Sequence, residues 1–379
     1  MSVEVDKPAV RRAWEGGVGD VRAFAFTPTS RATDATLVRV QRSLDRTNEA
    51  ARTSWLDLDN LPTVGRRPVR VGRSVVWEIE TQHPDGPLHW LNAFAETLGA
   101  AGANGTIGPF AYRNPGRMDT LVDGRRVPGM MAALSWKGRG PFRPSGNPGM
   151  PAWRVDPSIV PLLVEITVGF LERTPGHTSA EVGQIVELDS SELPNALQDA
   201  LTADPVEVPL VWGRRSGIDL NREVTFDLRG HVLFSLSTGP SRLFTAAEEM
   251  CADLAGIAST HCEWAALLEG GLAHSFYDGY RHARGARLAD YYRSGHNEDT
   301  DFLPDAFAWQ MVGPAQISKA NDLRRWHVER LGDLTLIRKR TLADWVALDD
   351  NDPTKLKVDL DQLAQARHDF GAMIRTPRR

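Results

Sequence analysis

Two cysteines in 379 residues are too few for a disulfide framework, and Cys251 and Cys262 lack the C-x-x-C spacing of a redox or zinc pair. Two buried free thiols are the expected outcome, which fits a reducing compartment. No stretch approaches the roughly 20 apolar residues of a membrane helix. The greasiest run, 158–171, is interrupted by Pro161 and Glu165 and reads as a buried or amphipathic helix. The first residues carry no apolar core of a signal peptide, so a cytoplasmic location without a membrane partner is expected. Basic charge is not in excess either. Lys and Arg number 44 against 49 Asp and Glu, a net charge of −5. That balance argues against bulk binding to nucleic acid and leaves room only for a local basic patch.

Motifs that announce chemistry are missing as well. There is no P-loop and no nucleophile elbow. The glycine-rich run Gly99–Gly105 follows a helix, whereas a dinucleotide loop follows a strand and opens one, so it reads as a helix end and turn. His296, Glu298, Asp299 and Asp301 form the tightest set of candidate metal ligands, with Asp57/Asp59 and Asp349/Asp350/Asp352 behind them. None has the glycine and closing glutamate of a calcium loop, so solvated acidic turns are the reading. No cofactor, no metal and no catalytic residue is assigned, and the chain leans away from being an enzyme.

What is present is an ordinary globular composition, 41% apolar and 25% charged, and a pattern stated twice. Ser74–Thr81 alternates as a strand; Pro87, a helical run and a strand at Gly105–Phe110 follow. His231–Thr238 does the same, with Pro240, a helical run and a strand at Glu263–Leu268. The periodicity predicts an α+β fold of two related ferredoxin-like (split βαβ) units with antiparallel sheets, joined by a mixed helix and strand connector. Residues 1–19 form a flexible lead-in, 20–156 the first unit, 157–221 the connector and 222–379 the second unit. Within the first unit 113–156 is a long loop rich in Arg, Gly and Pro, carrying a hairpin with strands near Asp119–Leu121 and Met131–Trp136. Further on, Trp326–Leu331 and Leu334–Lys339 read as a hairpin around Gly332-Asp333. Leu360–Ile374 reads as a closing helix with Leu363, Ala366 and Phe370 inward.

Two stretches carry residue types suited to contacts. Between His274 and His296 lie four of the five tyrosines, Tyr277, Tyr280, Tyr291 and Tyr292, with Arg281, Arg284, Arg287 and Arg293. Tyr and Arg dominate binding hot spots because they offer rigid area and directional hydrogen bonds. The same stretch also reads as a core helix with arginines in solvent. In the long loop Arg125, Arg126, Arg139 and Trp136 are the second set, and the basic and aromatic mixture there also admits nucleic acid.

From Leu303 the chain runs LPDAFAWQMVGPAQIS into the hairpin WHVERLGDLTLIRKR. On Trp309, Gly313 and Pro314 this last third resembles the C-terminal part of bacterial immunity-type proteins, which neutralise polymorphic or type VI secreted toxins. The resemblance implies a non-enzymatic protein that binds a protein partner, with no cofactor. The leading expectation is therefore a non-catalytic protein-binding protein, associated with immunity or defence. A metal-assisted hydrolase or nuclease using the His296 cluster, a nucleic-acid binder using Arg113–Arg143, and a structural component of a phage-like assembly stay open beside it.

Overall fold

The computed structural model describes residues 2–14, 21–30, 32–54, 63–64, 68–71, 73–80, 86–110, 121–122, 125–137, 143–144, 151–152, 155–176, 178–181, 185–188, 190–203, 210–216, 220–227, 230–270, 302–349 and 352–374. The chain divides into two units, each assembled from separate stretches. The first comprises 1–115, 157–168 and 179–204; the second comprises 116–156, 169–178 and 205–379.

The first unit begins with β1 (Val3–Val5), α1 (Lys7–Trp14), β2 (Val21–Pro28), α2 (Asp34–Ser54), β3 (Thr63–Val64), β4 (Val69–Val71), β5 (Ser74–Glu80), α3 (Gly86–Ala100) and β6 (Gly105–Pro109). Its sheet runs β1-β6-β2-β5-β3, with β4 also on β5. All pairs are antiparallel except β1 with β6. The strand-helix-strand run β5-α3-β6 is therefore split, with β2 lying between its two strands. Alternation along β2 sends Phe24 and Phe26 to one face, in register with Trp77 and Val75. On that face they meet Leu37, Val40 and Leu44 of α2 and Trp90, Leu91, Phe94 and Leu98 of α3. Trp77 meets Phe94 edge-on at 5.0 Å, and Trp90 stacks on Phe94 at 5.3 Å while its indole N–H donates to Asn48 Oδ1. Gly105 is required where β6 crosses Pro28: a Cβ there would lie 2.3 Å from the Thr27 carbonyl oxygen.

Further along come β7 (Leu121–Val122), β8 (Arg125–Arg126), β9 (Gly129–Trp136), β10 (Arg143–Pro144), β11 (Pro151–Ala152), α4 (Val160–Glu172), β12 (Thr178–Glu181), β13 (Ile185–Leu188) and α5 (Leu193–Ala203). They are followed by β14 (Leu210–Ser216), β15 (Leu220–Phe226), β16 (His231–Thr238), α6 (Pro240–His261), β17 (Cys262–Glu269), β18 (Trp309–Val312), β19 (His327–Leu331) and β20 (Leu334–Arg338). The second unit's strands lie in the order β14-β15-β16-β9-β17-β18-β20-β19, antiparallel throughout.

Here too the strand-helix-strand run β16-α6-β17 is split, by β9. The stretch Met131–Trp136 thus differs from its expected place in a local hairpin. It is the inner part of a central strand, and its neighbours are His231–Ser237 and Cys262–Glu269. The short strand at 121–122 pairs instead with Arg125–Arg126. Every residue of β9 is buried, because both faces of the sheet are covered. One face holds Met131, Ala133, Leu233, Trp264, Ala266 and Leu268 with Phe307. The architecture is α+β with antiparallel sheets, as the periodicity predicts.

The ends of the elements follow local chemistry. The glycine-rich run after α3 is a helix end: Gly102 sits at φ 84° and donates to the Gly99 carbonyl. The α6 helix starts with Pro240 at its first position, where no N–H is needed. The closing helix Leu360–Phe370 is capped by Asp359, whose carboxylate accepts from the N–H groups of Asp361 and Gln362. Leu363, Ala366 and Phe370 face inward as the spacing predicts. The helix stops at Gly371, at φ 51°, where a Cβ would collide with the Asn321 side chain at 2.4 Å. Both cysteines are free and buried. Among the described residues no helix is long and apolar enough to cross a membrane.

Candidate functional site

Most of the residues singled out from the sequence fall outside the described residues: Tyr277, Tyr280, Arg281, Arg284, Arg287, Tyr291, Tyr292, Arg293 and Arg139. The His296, Glu298, Asp299 and Asp301 cluster lies outside them too, as do Asp57, Asp59 and Asp350. Among the described residues no group of His, Cys, Asp and Glu is gathered to hold a metal ion. Arg125 and Arg126 form the two-residue strand β8. Trp136 requires a correction. It ends β9 opposite Cys262, its ring lies 6.3 Å from that of His261, and it is fully buried, so its role is in the core and not on a contact surface.

The described residues place an open surface at the C-terminal end of the second sheet. Buried β18 leads into Gly313, whose N–H donates to Gln316 Oε1 at 2.8 Å, while Pro314 opens the short helix Pro314–Ile317. The hairpin β19–β20 then closes around Gly332-Asp333. Gly332 has φ 56°, and a Cβ there would stand 3.0 Å from the Ser259 carbonyl oxygen. Lys137 donates to Asp333 Oδ2 at 2.7 Å, and this hydrogen bond holds the Asp333 carboxyl below the usual range.

Strand β19 pairs with β20 on one side and stands last in the strand order. His327, Val328, Glu329 and Arg330 are all exposed, and Val328 keeps 44% of its surface in solvent. A strand in that position presents unpaired backbone N–H and C=O groups along its outer side.

Next to this edge is a cleft of about 250 Å³ between α6 and strands β18 and β20. Its floor includes Cys251, Trp309 and Leu336, and Glu329, Arg338, Lys339 and Arg340 stand around it. Burial, with Glu248 alongside, pushes the Cys251 thiol far above its ordinary value, so it stays protonated and unsuited to nucleophilic work. The carboxylate of Glu248 accepts from the Leu342 N–H at 3.0 Å. Lys339 rests its ammonium 4.3 Å from the Trp326 ring centroid and 5.6 Å from that of Trp345. Desolvation there lowers its pKa.

The segment leading into β19 is fastened to the closing helix by one buried carboxylate. Asp369 accepts from Arg325 at 3.0 Å, from the Trp326 indole N–H at 3.2 Å and from Gln365 at 3.0 Å. Its backbone carbonyl accepts from Asn321 and Asp322. A second buried carboxylate, Asp305, takes a two-pronged hydrogen bond from Arg367 at 2.8 and 2.7 Å. The surface is thus held by a rigid frame, although the strand itself is open.

One arrangement in the sheet has the makings of acid–base chemistry. Asp227 Oδ2 lies 2.9 Å from His231 Nδ1, and Ser135 is directly across the sheet from His231. Asp227 Oδ1 also accepts from the His231 backbone N–H at 2.9 Å, and the two residues exchange a further bond through Asp227 N and His231 O. All three residues are at most 1% exposed. The pair closes the β15–β16 turn within the protein.

No family model matches this chain, and no curated protein matches it either. Among solved structures, the Pseudomonas aeruginosa T6SS protein PA0821 aligns over 70% of this chain and 76% of that chain, at 10% identity and a TM-score of 0.38. Numbers that low support no inference about function.

Proposed function

We propose that this chain is a non-catalytic protein-binding protein that receives an extended segment of a protein partner along β19. The observation that carries the reading is the open strand His327–Leu331, exposed through its first four residues and hydrogen-bonded on one side only among the described residues. Strand addition uses such an edge: backbone bonds supply affinity and neighbouring pockets select side chains. The adjoining cleft offers an apolar floor and the cations of Arg338, Lys339 and Arg340, which suits a segment with an acidic side chain beside an apolar one. The resemblance of the chain from Leu303 onward to immunity-type proteins gives the partner class, a secreted toxin. The Tyr277–Arg293 stretch and Arg125, Arg126 and Arg139 remain proposed contact elements on composition alone.

The test is a photo-cross-linker at position 328 in the native host. A single discrete adduct with a protein is expected. It should be lost with Glu329→Pro or Arg330→Pro, whichever removes the N–H that points off the sheet, since proline cannot donate to an added strand. An adduct of equal intensity from a cross-linker at exposed Glu49, or none from 328, overturns the proposal.

A further inference from the structure

Strands β14 and β15 place two arginines directly opposite each other, Arg214 against Arg222. Opposed side chains share a face of the sheet with Cβ atoms about 4.5–5.5 Å apart, and like charges in that position repel. Arg222 is only 5% exposed. Its guanidinium lies 4.6 Å from the centroid of the Phe170 ring, which itself meets Phe234 edge-on at 5.2 Å. The flat face of the cation is thereby satisfied, but its hydrogen-bonding edge is not. Nε and Nη1 of Arg222, Nε and Nη1 of Arg214, and the indole N–H of Trp212 are all shut off from solvent without a hydrogen-bond acceptor. Trp212 is two residues from Arg214 along β14, so alternation puts it on the same face.

Two carboxylates on α6 influence Arg222 electrostatically, but neither is hydrogen-bonded to it. Asp253 is engaged by Arg173, and Glu249 is exposed. A guanidinium does not shed its proton to escape burial, and a buried unpaired charge is strongly unfavourable. Buried donors without a protein acceptor are matched in native proteins by an ordered water or a bound ion. Five of them gathered on one face of the sheet favour a ligand with several acceptor oxygens. Burial, followed by the nearby charge of Arg173, depresses the Arg222 pKa, and the opposing charges of Asp253 and Glu249 offset this only in part.

We infer that Arg214, Arg222 and the Trp212 N–H form a binding site for a small oxyanion, a phosphate or carboxylate group carried on a low-molecular-weight ligand. The planar fork of a guanidinium matches two oxygens of either group, and Phe170 fixes the plane of Arg222 in advance. The site is independent of the β19 edge and would stand if that reading failed.

The experiment compares thermal unfolding in phosphate, in succinate and in chloride at equal ionic strength, with ³¹P line broadening of phosphate as a second readout. A rise of about 2–4 °C is expected once the anion exceeds its Kd by roughly tenfold. Phosphate alone raising the midpoint identifies a phosphate site, succinate alone a carboxylate site, and both a general oxyanion site. Arg222→Met should abolish the shift. It should also raise the midpoint in chloride, because it removes a buried unpaired charge, whereas an arginine needed only for packing on Phe170 would lower it. Arg214→Met gives the same test if Arg222→Met does not fold. No shift with either anion, or an undiminished shift in both variants, overturns the site.

Discussion

At the scale of single residues, the second unit relies on a few buried carboxylates that each satisfy several donors. Asp305 is 1% exposed and holds both prongs of Arg367 as well as the Ala306 N–H. Removing Asp305 takes away these charge-assisted hydrogen bonds, while Arg367, one third exposed, keeps partial access to water. Asp305→Ala should therefore cost about 2 kcal/mol, read from urea unfolding. The equivalent change at Asp322, whose pair with Arg324 is on the surface, should leave the urea midpoint nearly where it was. An equal loss from the two variants would contradict this account. Cys251 gives a second residue-scale expectation. Its thiol is buried and its pKa is driven upward, so a disulfide reagent at pH 8 should label neither cysteine of the folded protein and both after unfolding in urea. Rapid labelling of Cys251 in the native state would show that the cleft opens further than its geometry implies.

At the scale of elements, the contrast between β9 and β19 explains what could and could not be read from the chain. Strand β19 and its partner were legible, since Gly332-Asp333 marks the turn between two short runs of strand-forming residues. The succession of strand, proline-preceded helix and strand was legible in both runs, but not the strand that splits the second. Strand β9 was not assigned its place, because GMMAALSW is buried on both faces and has no alternation to reveal its neighbours. The cleft was equally hidden, as it depends on contacts such as Leu342 with Glu248, 94 residues apart. An open edge also carries a hazard that charged side chains suppress. Glu329→Val with Arg330→Val should therefore convert β19 into a self-pairing strand. Concentration-dependent higher-order species in gel filtration are expected, with little change in far-ultraviolet circular dichroism. A strictly monomeric double variant would indicate that the outer side of β19 is blocked.

At the scale of the whole molecule, the two units cannot be separated by one cut, because each takes segments from both sides of the other. A fragment of residues 205–379 contains β16, α6 and β17 but lacks β9, the strand that lies between β16 and β17. Without it, Leu233, Ala266 and their neighbours lose a partner on a continuous hydrogen-bonded ladder. The fragment should be unfolded or aggregated by circular dichroism and light scattering. A fragment beginning at residue 116 should retain the sheet. Cooperative unfolding of 205–379 alone would show that β9 is dispensable.

The same strand has a consequence during synthesis. Gly129–Trp136 leaves the ribosome well before His231–Glu269, which flank it on either side in the finished sheet. At about 5–20 residues per second, roughly 5–20 s pass before His231 is even made. For that interval the nascent chain carries a largely apolar strand with neither neighbour yet available. Its yield in cells should therefore depend on trigger-type holdases and on translation speed between β9 and β16, more than its final stability would suggest.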